Sequence, residues 1–277
     1  MSRGALLIAR NNSQIDYIKQ AVFAASRIKK YMDIPVSVLT DNSTYLTKKY
    51  PNHPFDKILK ISDEDFTFKK YNYGIYARKS LEFKNTSRFN AYDLTPYTET
   101  LLLDTDYIVS NDLLNECFSQ EHGLMMYKDA TDFSRWRDLD EFKFISETGP
   151  TFYWATCVFF KKSDTNKCFF DLVKHIQEHW QHYRNVYQIT SAVFRNDFAF
   201  SIAAHIMNGH VDGGLIRPMP GKKHFITDRD HVEKIDEEDF LFLIEKENTS
   251  EHFPVKFSGN VHIMNKFGLN RIIDDLN

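Results

Sequence analysis

The first forty residues restrict the fold more than any other stretch of the chain. Ala5-Leu-Leu-Ile-Ala9 is a short apolar run between Gly4 and the polar Arg10-Asn11-Asn12, which predicts a buried strand ending in a loop. Ile15, Ile18, Val22, Ala25 and Ile28 then recur at helical spacing up to Asp33, and Pro35 precedes a second apolar run, Val36 to Thr40, closed by Asp41. Strand, helix and strand in so short a span make a βαβ unit. Parallel strands joined in this way carry helices on the faces of their sheet.

The same rhythm continues with a third strand predicted at Ile58 to Ile61, a helical stretch around Tyr76 to Phe83, and a fourth strand at Leu101-Leu-Leu103. Beyond it the alternation loosens. Gly123 to Tyr127 and Tyr153 to Phe160 read as strands, and Lys167 to Tyr183 and Asp197 to Met207 as helices. Glycine, proline and charge dominate Gly209 to Asp230, which reads as a loop region with a basic knot at Lys222, Lys223 and His224. The expected fold class is α/β, with a mainly parallel, Rossmann-like sheet flanked by helices. Residues 1–277 are read as a single domain of two halves, 1–125 and 126–277.

A hydrophobic content of 42% over 277 residues suffices for one large core. The 35 basic and 38 acidic residues nearly cancel, so no global field points to nucleic acid or an anionic membrane. Three cysteines without C-x-x-C spacing argue against a disulfide framework or a cysteine-held zinc, and a reducing, cytoplasmic compartment is the expectation. The Ala5 to Ala9 run is too short for a signal-peptide core, and no stretch reaches the ~18 apolar residues of a membrane span.

Leu101-Leu-Leu-Asp104-Thr-Asp106 carries the most chemical information. Three leucines predict a strand buried on both faces, and side chains two apart on an extended segment point the same way. Both carboxylates then project beyond the carboxyl end of the strand, the edge at which open α/β sheets bind ligands, while Thr105 points away from the pair. Two oxygen donors there suit a hard divalent cation, able to neutralise the diphosphate of a nucleotide-sugar as it leaves. Asp-x-Asp also occurs at Asp63/Asp65, Asp138/Asp140 and Asp228/Asp230, in polar surroundings that read as solvated turns or helix faces. Ile108 and Val109 stand where an EF-hand needs a ligand and a glycine, which argues against a calcium loop.

Through the Ala5 strand, Asp41, Leu101-Leu-Leu-Asp-Thr-Asp-Tyr-Ile-Val109 and Val261-His-Ile-Met-Asn-Lys266, the chain resembles the GT-A glycosyltransferases, especially the glycogenin-like group that includes bacterial lipopolysaccharide galactosyltransferases. The resemblance implies a metal-dependent transfer of a sugar from a nucleotide-sugar, with UDP the default nucleotide, to an acceptor hydroxyl. It makes residues 1–125 the donor-binding half and 126–277 the acceptor-facing half. His262 matches the family's late histidine and would complete the metal site with Asp104 and Asp106; a nitrogen ligand favours Mn²⁺, with Mg²⁺ as the alternative. Ala9, Arg10 and Asp41 resemble the loops that meet the nucleoside, and Arg78, Thr105 and Lys266 complete the expected donor contacts. Lys266 lies four residues after His262 and no Pro-Trp follows it, which departs from the family pattern. Tyr153-Trp154-Ala-Thr-Cys157 replaces the family's Asn-x-Gly element, and Trp154 there, with Asn196 at the opening of the later helix, is a candidate for the acceptor or sugar site. Asp197 resembles the acidic residue near the donor sugar and is the catalytic candidate; a helix N-cap is the structural alternative.

Two readings compete. His175-Ile-Gln-Glu178-His179 fits the H-x-x-E-H pattern of zinc metallopeptidases, although Phe169, Leu172, Val173, Ile176 and Trp180 form the apolar stripe of that helix and leave the three outside it. A non-catalytic protein that binds a nucleotide or glycan on the same fold is the other. The acceptor is a saccharide by resemblance. A hydroxymethylated DNA base offers the same hydroxyl, and Lys222, Lys223, His224 and Arg229 would give it a modest basic patch.

Overall fold

β1 (Arg3–Ile8) is buried after its first residue, and α1 (Tyr17–Met32) returns the chain to β2 (Val36–Thr40), buried at every position. Asp16 caps α1 by accepting from Lys19 N at 2.9 Å, and Asp33, at φ 51°, ends it in the left-handed region. The computed structural model describes residues 2–62, 66–73, 77–133, 143–246, 249 and 251–276. The Asp63/Asp65 and Asp138/Asp140 pairs lie outside those residues.

After α2 (Ser43–Lys49) and β3 (Lys57–Lys60) comes a hairpin, β4 (Thr67–Tyr73) with β5 (Ala77–Phe83). β5 overturns the expected helix around Tyr76 to Phe83. Its strand character comes from pairing with β4, Leu81 opposite Lys69, which no local periodicity reveals. α3 (Ala91–Leu94) leads to β6 (Glu99–Leu103), whose three leucines are fully buried, and β7 (Tyr107–Ile108) follows within four residues. Next come β8 (Leu124–Tyr127), β9 (Ala130–Asp132) and β10 (Trp154–Lys161).

The second half carries α4 (Asp164–Glu178), α5 (Trp180–Val186) and α6 (Asn196–Met207). The predicted helix from Lys167 to Tyr183 is thus two helices, broken at His179. The stretch from Gly209 to Asp230 is not all loop, because it holds β11 (Arg217–Pro218) and β12 (Lys223–Ile226). β13 (His231–Ile235), β14 (Asp239–Glu245), β15 (His252–Ser258), β16 (Val261–Ile263) and α7 (Lys266–Asp275) complete the chain.

Seven strands form the main sheet in the order β11-β8-β10-β6-β1-β2-β3. The pairs β1/β2, β1/β6, β2/β3 and β11/β8 are parallel, and β10 runs antiparallel between β6 and β8. This is the mainly parallel α/β architecture expected from the sequence. A four-stranded sheet, β7-β16-β12-β9, lies against the carboxyl end of β6, and β13-β14-β15 forms a third. One apolar core fills the main sheet and its helices; a second gathers Phe240, Phe242, Ile244, Val261, Ile263 and Leu269 around the small sheets.

Candidate functional site

The chain leaves β6 at Leu103 and re-enters a sheet at Tyr107, so Asp104, Thr105 and Asp106 form the turn between the large sheet and the four-stranded one. Asp104 is held from both sides, its N–H donating to Thr156 O at 2.9 Å and its carbonyl accepting from Tyr107 N at 3.1 Å. β16 pairs antiparallel with β7, with His262 opposite Tyr107, and Ile263 N donates to Asp106 O at 2.9 Å. That register carries the imidazole to the acidic turn. His262 Nε2 lies 3.3 Å from Asp106 Oδ2.

Asp104, Asp106 and His262 offer ligand atoms that all lie within 4.8 Å of one another. They line a crevice of about 250 Å³ together with Lys69, Tyr71, Arg88, Trp154, Asp197 and Lys266, among others. Lys266 begins α7 and places Nζ 2.5 Å from Asp106 Oδ2. Burial opposes charge on Asp106, but Lys266 and His262 beside it hold its carboxyl far below the usual range. Burial pushes Asp104 the other way, upward, against the pull of the Arg88 guanidinium. His262 is lowered to about 4 by burial, with the Lys223 charge adding to the effect, so its imidazole is neutral at neutral pH. A neutral imidazole and two carboxylates are the protonation states in which these groups ligate a metal, and the donor set therefore fits a divalent cation.

Arg88 and Lys223 are the residues that sequence reasoning missed. Arg88 is 1% exposed; it donates to Asp104 Oδ1 through Nη1 and to Thr156 O at 3.2 Å through Nη2. It sits in the polar stretch Asn85-Thr-Ser-Arg88, where no spacing or apolar pattern marks it. Lys223, assigned from sequence to a loop and a surface patch, is fully buried in β12, with Nζ 3.9 Å from the Trp154 ring centroid. Lys223 Nζ and His262 Nδ1 share a hydrogen bond of 3.0 Å, and burial pushes the amine down to about 7. A charged Lys223 donates to Nδ1 and leaves the imidazole proton on Nε2, facing Asp106. A neutral Lys223 accepts from Nδ1–H and turns the Nε2 lone pair toward the acidic turn.

The remaining expected site residues divide. Trp154, Asn196 and Asp197 line the crevice, as does Thr105, whose hydroxyl donates to Gln20 Oε1 at 3.3 Å. Ala9, Arg10 and Asp41 stand at the carboxyl ends of β1 and β2, with Arg10 paired to Asp41 at 3.4 Å, and are not among the lining residues. Arg78 is exposed on β5 and does not line the crevice either. Asp197 does not cap α6: the N-cap is Arg195, without a side-chain cap bond. Asp197 Oδ1 instead accepts from Ala155 N at 2.9 Å and Oδ2 from Arg195 Nη2 at 2.9 Å. Burial works against its charge, and Arg195 with the Ala155 N–H holds it below the usual carboxylate range.

Other sequence readings are corrected by burial. Asp228 and Asp230 are not a solvated turn. Asp228 lines the crevice and accepts from Asn72 N at 2.9 Å and Asn72 Nδ2 at 3.0 Å, which fastens the β4–β5 hairpin to it, and Asp230 is fully buried. The basic knot loses its central member, since Lys223 points into the core; Lys222 stays exposed, and Arg229 pairs with Glu245. His175, Glu178 and His179 are exposed and absent from the crevice. Several buried polar atoms at the crevice have no hydrogen-bond partner among the described residues: Asn85 Oδ1, Asn196 Oδ1 and Arg88 Nε. Buried groups of this kind are ordinarily satisfied, so acceptors and a donor left open side by side suit a ligand rich in hydroxyls.

No family model matches the chain, and no curated protein matches it. Among solved structures it is similar to the galactosyltransferase LgtC in complex with donor and acceptor sugar analogs, at 13% identity over 72% of this chain and 70% of that chain, with a TM-score of 0.48. It is similar to mouse xyloside xylosyltransferase 1 in its apo form, at 9% identity over 79% of this chain and 85% of that chain, with a TM-score of 0.46. A likeness to the glycosyltransferase GlyE of Streptococcus pneumoniae runs at 12% identity over 79% of this chain and 46% of that chain, with a TM-score of 0.44. This chain thus matches less than half of the GlyE chain.

Proposed function

We propose that this chain is a metal-dependent glycosyltransferase that moves a sugar from a nucleoside-diphosphate sugar, with a uridine diphosphate sugar the default donor, to an acceptor hydroxyl of a saccharide. The observation that carries the reading is the buried group of Asp104, Asp106 and His262 at the carboxyl end of β6, with Lys266 on one side and Arg88 on the other. Acidic ligands alone would repel a diphosphate. Acidic ligands that hold a dication, flanked by two further cations, attract one.

Asp104, Asp106 and His262 would hold Mn²⁺ or Mg²⁺, which when bound supplies positive charge to the diphosphate as it departs. Lys266 and Arg88 act on the same charge: as the bond from the anomeric carbon to the diphosphate oxygen breaks, their fixed ammonium and guanidinium groups stabilise the leaving oxygens. Asp197 is the catalytic candidate because it is held ionised and oriented beside the crevice, positioned to meet a sugar hydroxyl or the developing positive charge at the anomeric carbon. Asn85, Asn196 and Trp154 would line the sugar subsite. Ala9, Arg10 and Asp41 reach the nucleoside in this reading, and residues 1–125 and 126–277 divide donor from acceptor contacts. Among the described residues no helix is long and apolar enough to cross a membrane, so the acceptor is reached without a helical span from that part of the chain.

A screen of nucleotide-sugars by thermal shift, with and without Mn²⁺, tests the reading. A metal-dependent rise in Tm with one donor, followed by transfer or slow hydrolysis of that donor, is the expected result. Binding without turnover on any saccharide or on water would make the chain a binding protein instead.

A further inference from the structure

The end of α4 brings together three side chains that the crevice does not use. His175 and Glu178 lie in its last turn, and His179 joins α4 to α5 at φ −111° and ψ 31°. One ligand atom from each falls within 4.8 Å of the other two, and all three residues are exposed. The two imidazole rings stand 4.4 Å apart between centroids. The opposite face of α4 is anchored by Phe169, Phe170, Val173 and Ile176, all buried, so the backbone beneath the three groups is held in place.

We propose that His175, Glu178 and His179 form a second metal site, independent of the crevice and suited to a borderline transition-metal ion such as Zn²⁺. Two imidazole nitrogens and one carboxylate oxygen are a set that zinc accepts at ~2.0–2.2 Å, with solvent in the remaining position. Donors around a tetrahedral ion stand roughly 3.4 Å apart. Exposed side chains reach that spacing from the observed one by small rotations about χ angles.

Two features favour a cation at this place. The carbonyl end of a 15-residue helix carries partial negative charge, and a dication at its last turn meets that pole directly. Glu178 is otherwise engaged only loosely, with Lys174 Nζ at 3.9 Å in an exposed pair of small worth, so little is lost when it turns to a metal. The two sites would also select different ions. A hard Mg²⁺ prefers oxygen and dehydrates reluctantly, whereas a pair of imidazoles prefers zinc.

The bound ion would fasten α4 to the start of α5. Trp180, the next residue, stacks on Phe198 at 6.0 Å and meets Phe194 edge-on at 5.4 Å, and Phe194 lines the crevice. The site would therefore stiffen, from outside the crevice, the segment that leads to Arg195, Asn196 and Asp197.

The test compares zinc bound by the full chain with zinc bound by a His175→Ala/His179→Ala double variant, by calorimetric titration in excess Mg²⁺. Any zinc taken by the crevice contributes equally to both. The unaltered chain should bind one more equivalent, and Glu178→Gln should keep that equivalent with affinity lowered about tenfold or more. Equal stoichiometry in the unaltered chain and the double variant would overturn the site, and an unchanged affinity in Glu178→Gln would overturn the three-ligand assignment. All three positions are on the surface, and circular dichroism checks that the variants keep their helices.

Discussion

Lys266 Nζ lies 2.5 Å from Asp106 Oδ2, although the two residues are 160 positions apart in the chain. In the proposed reaction this ammonium and a divalent cation held by Asp106 would both bring positive charge to the leaving diphosphate. Lys266→Met is expected to leave metal affinity unchanged or raised, because a competing cation is gone, while kcat falls about 10²-fold or more for want of charge on the leaving diphosphate. Single-turnover assays beside Mn²⁺ titration separate the two effects.

Asp104→Asn and Asp106→Asn each delete a ligand charge at constant side-chain volume, and each should lower kcat/KM by about 10²- to 10³-fold with the fold retained. His262→Ala should weaken metal and donor together. Initial rates at limiting Mn²⁺ provide the check, and wild-type rates from either Asn variant would make the acidic turn structural.

Donor binding is expected to require the metal. The crevice holds Asp104, Asp106 and Asp197 in addition to its cations, and three of its basic groups, Arg88, Arg195 and Lys266, are already paired to those carboxylates. Calorimetry of a uridine diphosphate sugar with chelator present should show little or no heat. Equal affinity with and without chelator would assign the diphosphate to Lys69, Arg88 and Lys266 alone.

Lys223 ties stability to pH. Folded, its amine titrates near about 7; unfolded, near its usual value of about 10.4. Between those values the unfolded chain holds a proton that the folded chain has lost, so stability rises with pH across the window and the penalty is fully present below about pH 7. Lys223→Met removes the buried charge and should stabilise the metal-free protein by about 1–3 kcal/mol more at pH 6 than at pH 10. Urea unfolding at the two pH values measures the difference, and an equal effect at both would mean that the amine is solvated.

The acidic turn was legible because three leucines and two aspartates announce a buried strand that ends on paired carboxylates. His262 was reached only through resemblance, since nothing local distinguishes a histidine after Val261 from any other. Arg88 and Lys223 were illegible for a different reason. A charged residue in a polar stretch looks solvated until tertiary packing supplies its partner, here Asp104 for one and the Trp154 ring for the other. The β4–β5 hairpin failed for the same cause at the level of secondary structure, because its strands are defined by each other. The α/β class survived these errors, since β1, α1, β2 and β6 carry their patterns in their own residues.

The pairing of β7 with β16 also sets an order in time. Tyr107 and His262 must find each other across most of the chain length, and contacts of such sequence separation form slowly, after local helices and hairpins. The main sheet can assemble from β1, β2 and β6 while the imidazole is still far from the acidic turn. A refolding chain would therefore regain much of its local secondary structure before Asp104, Asp106 and His262 come together.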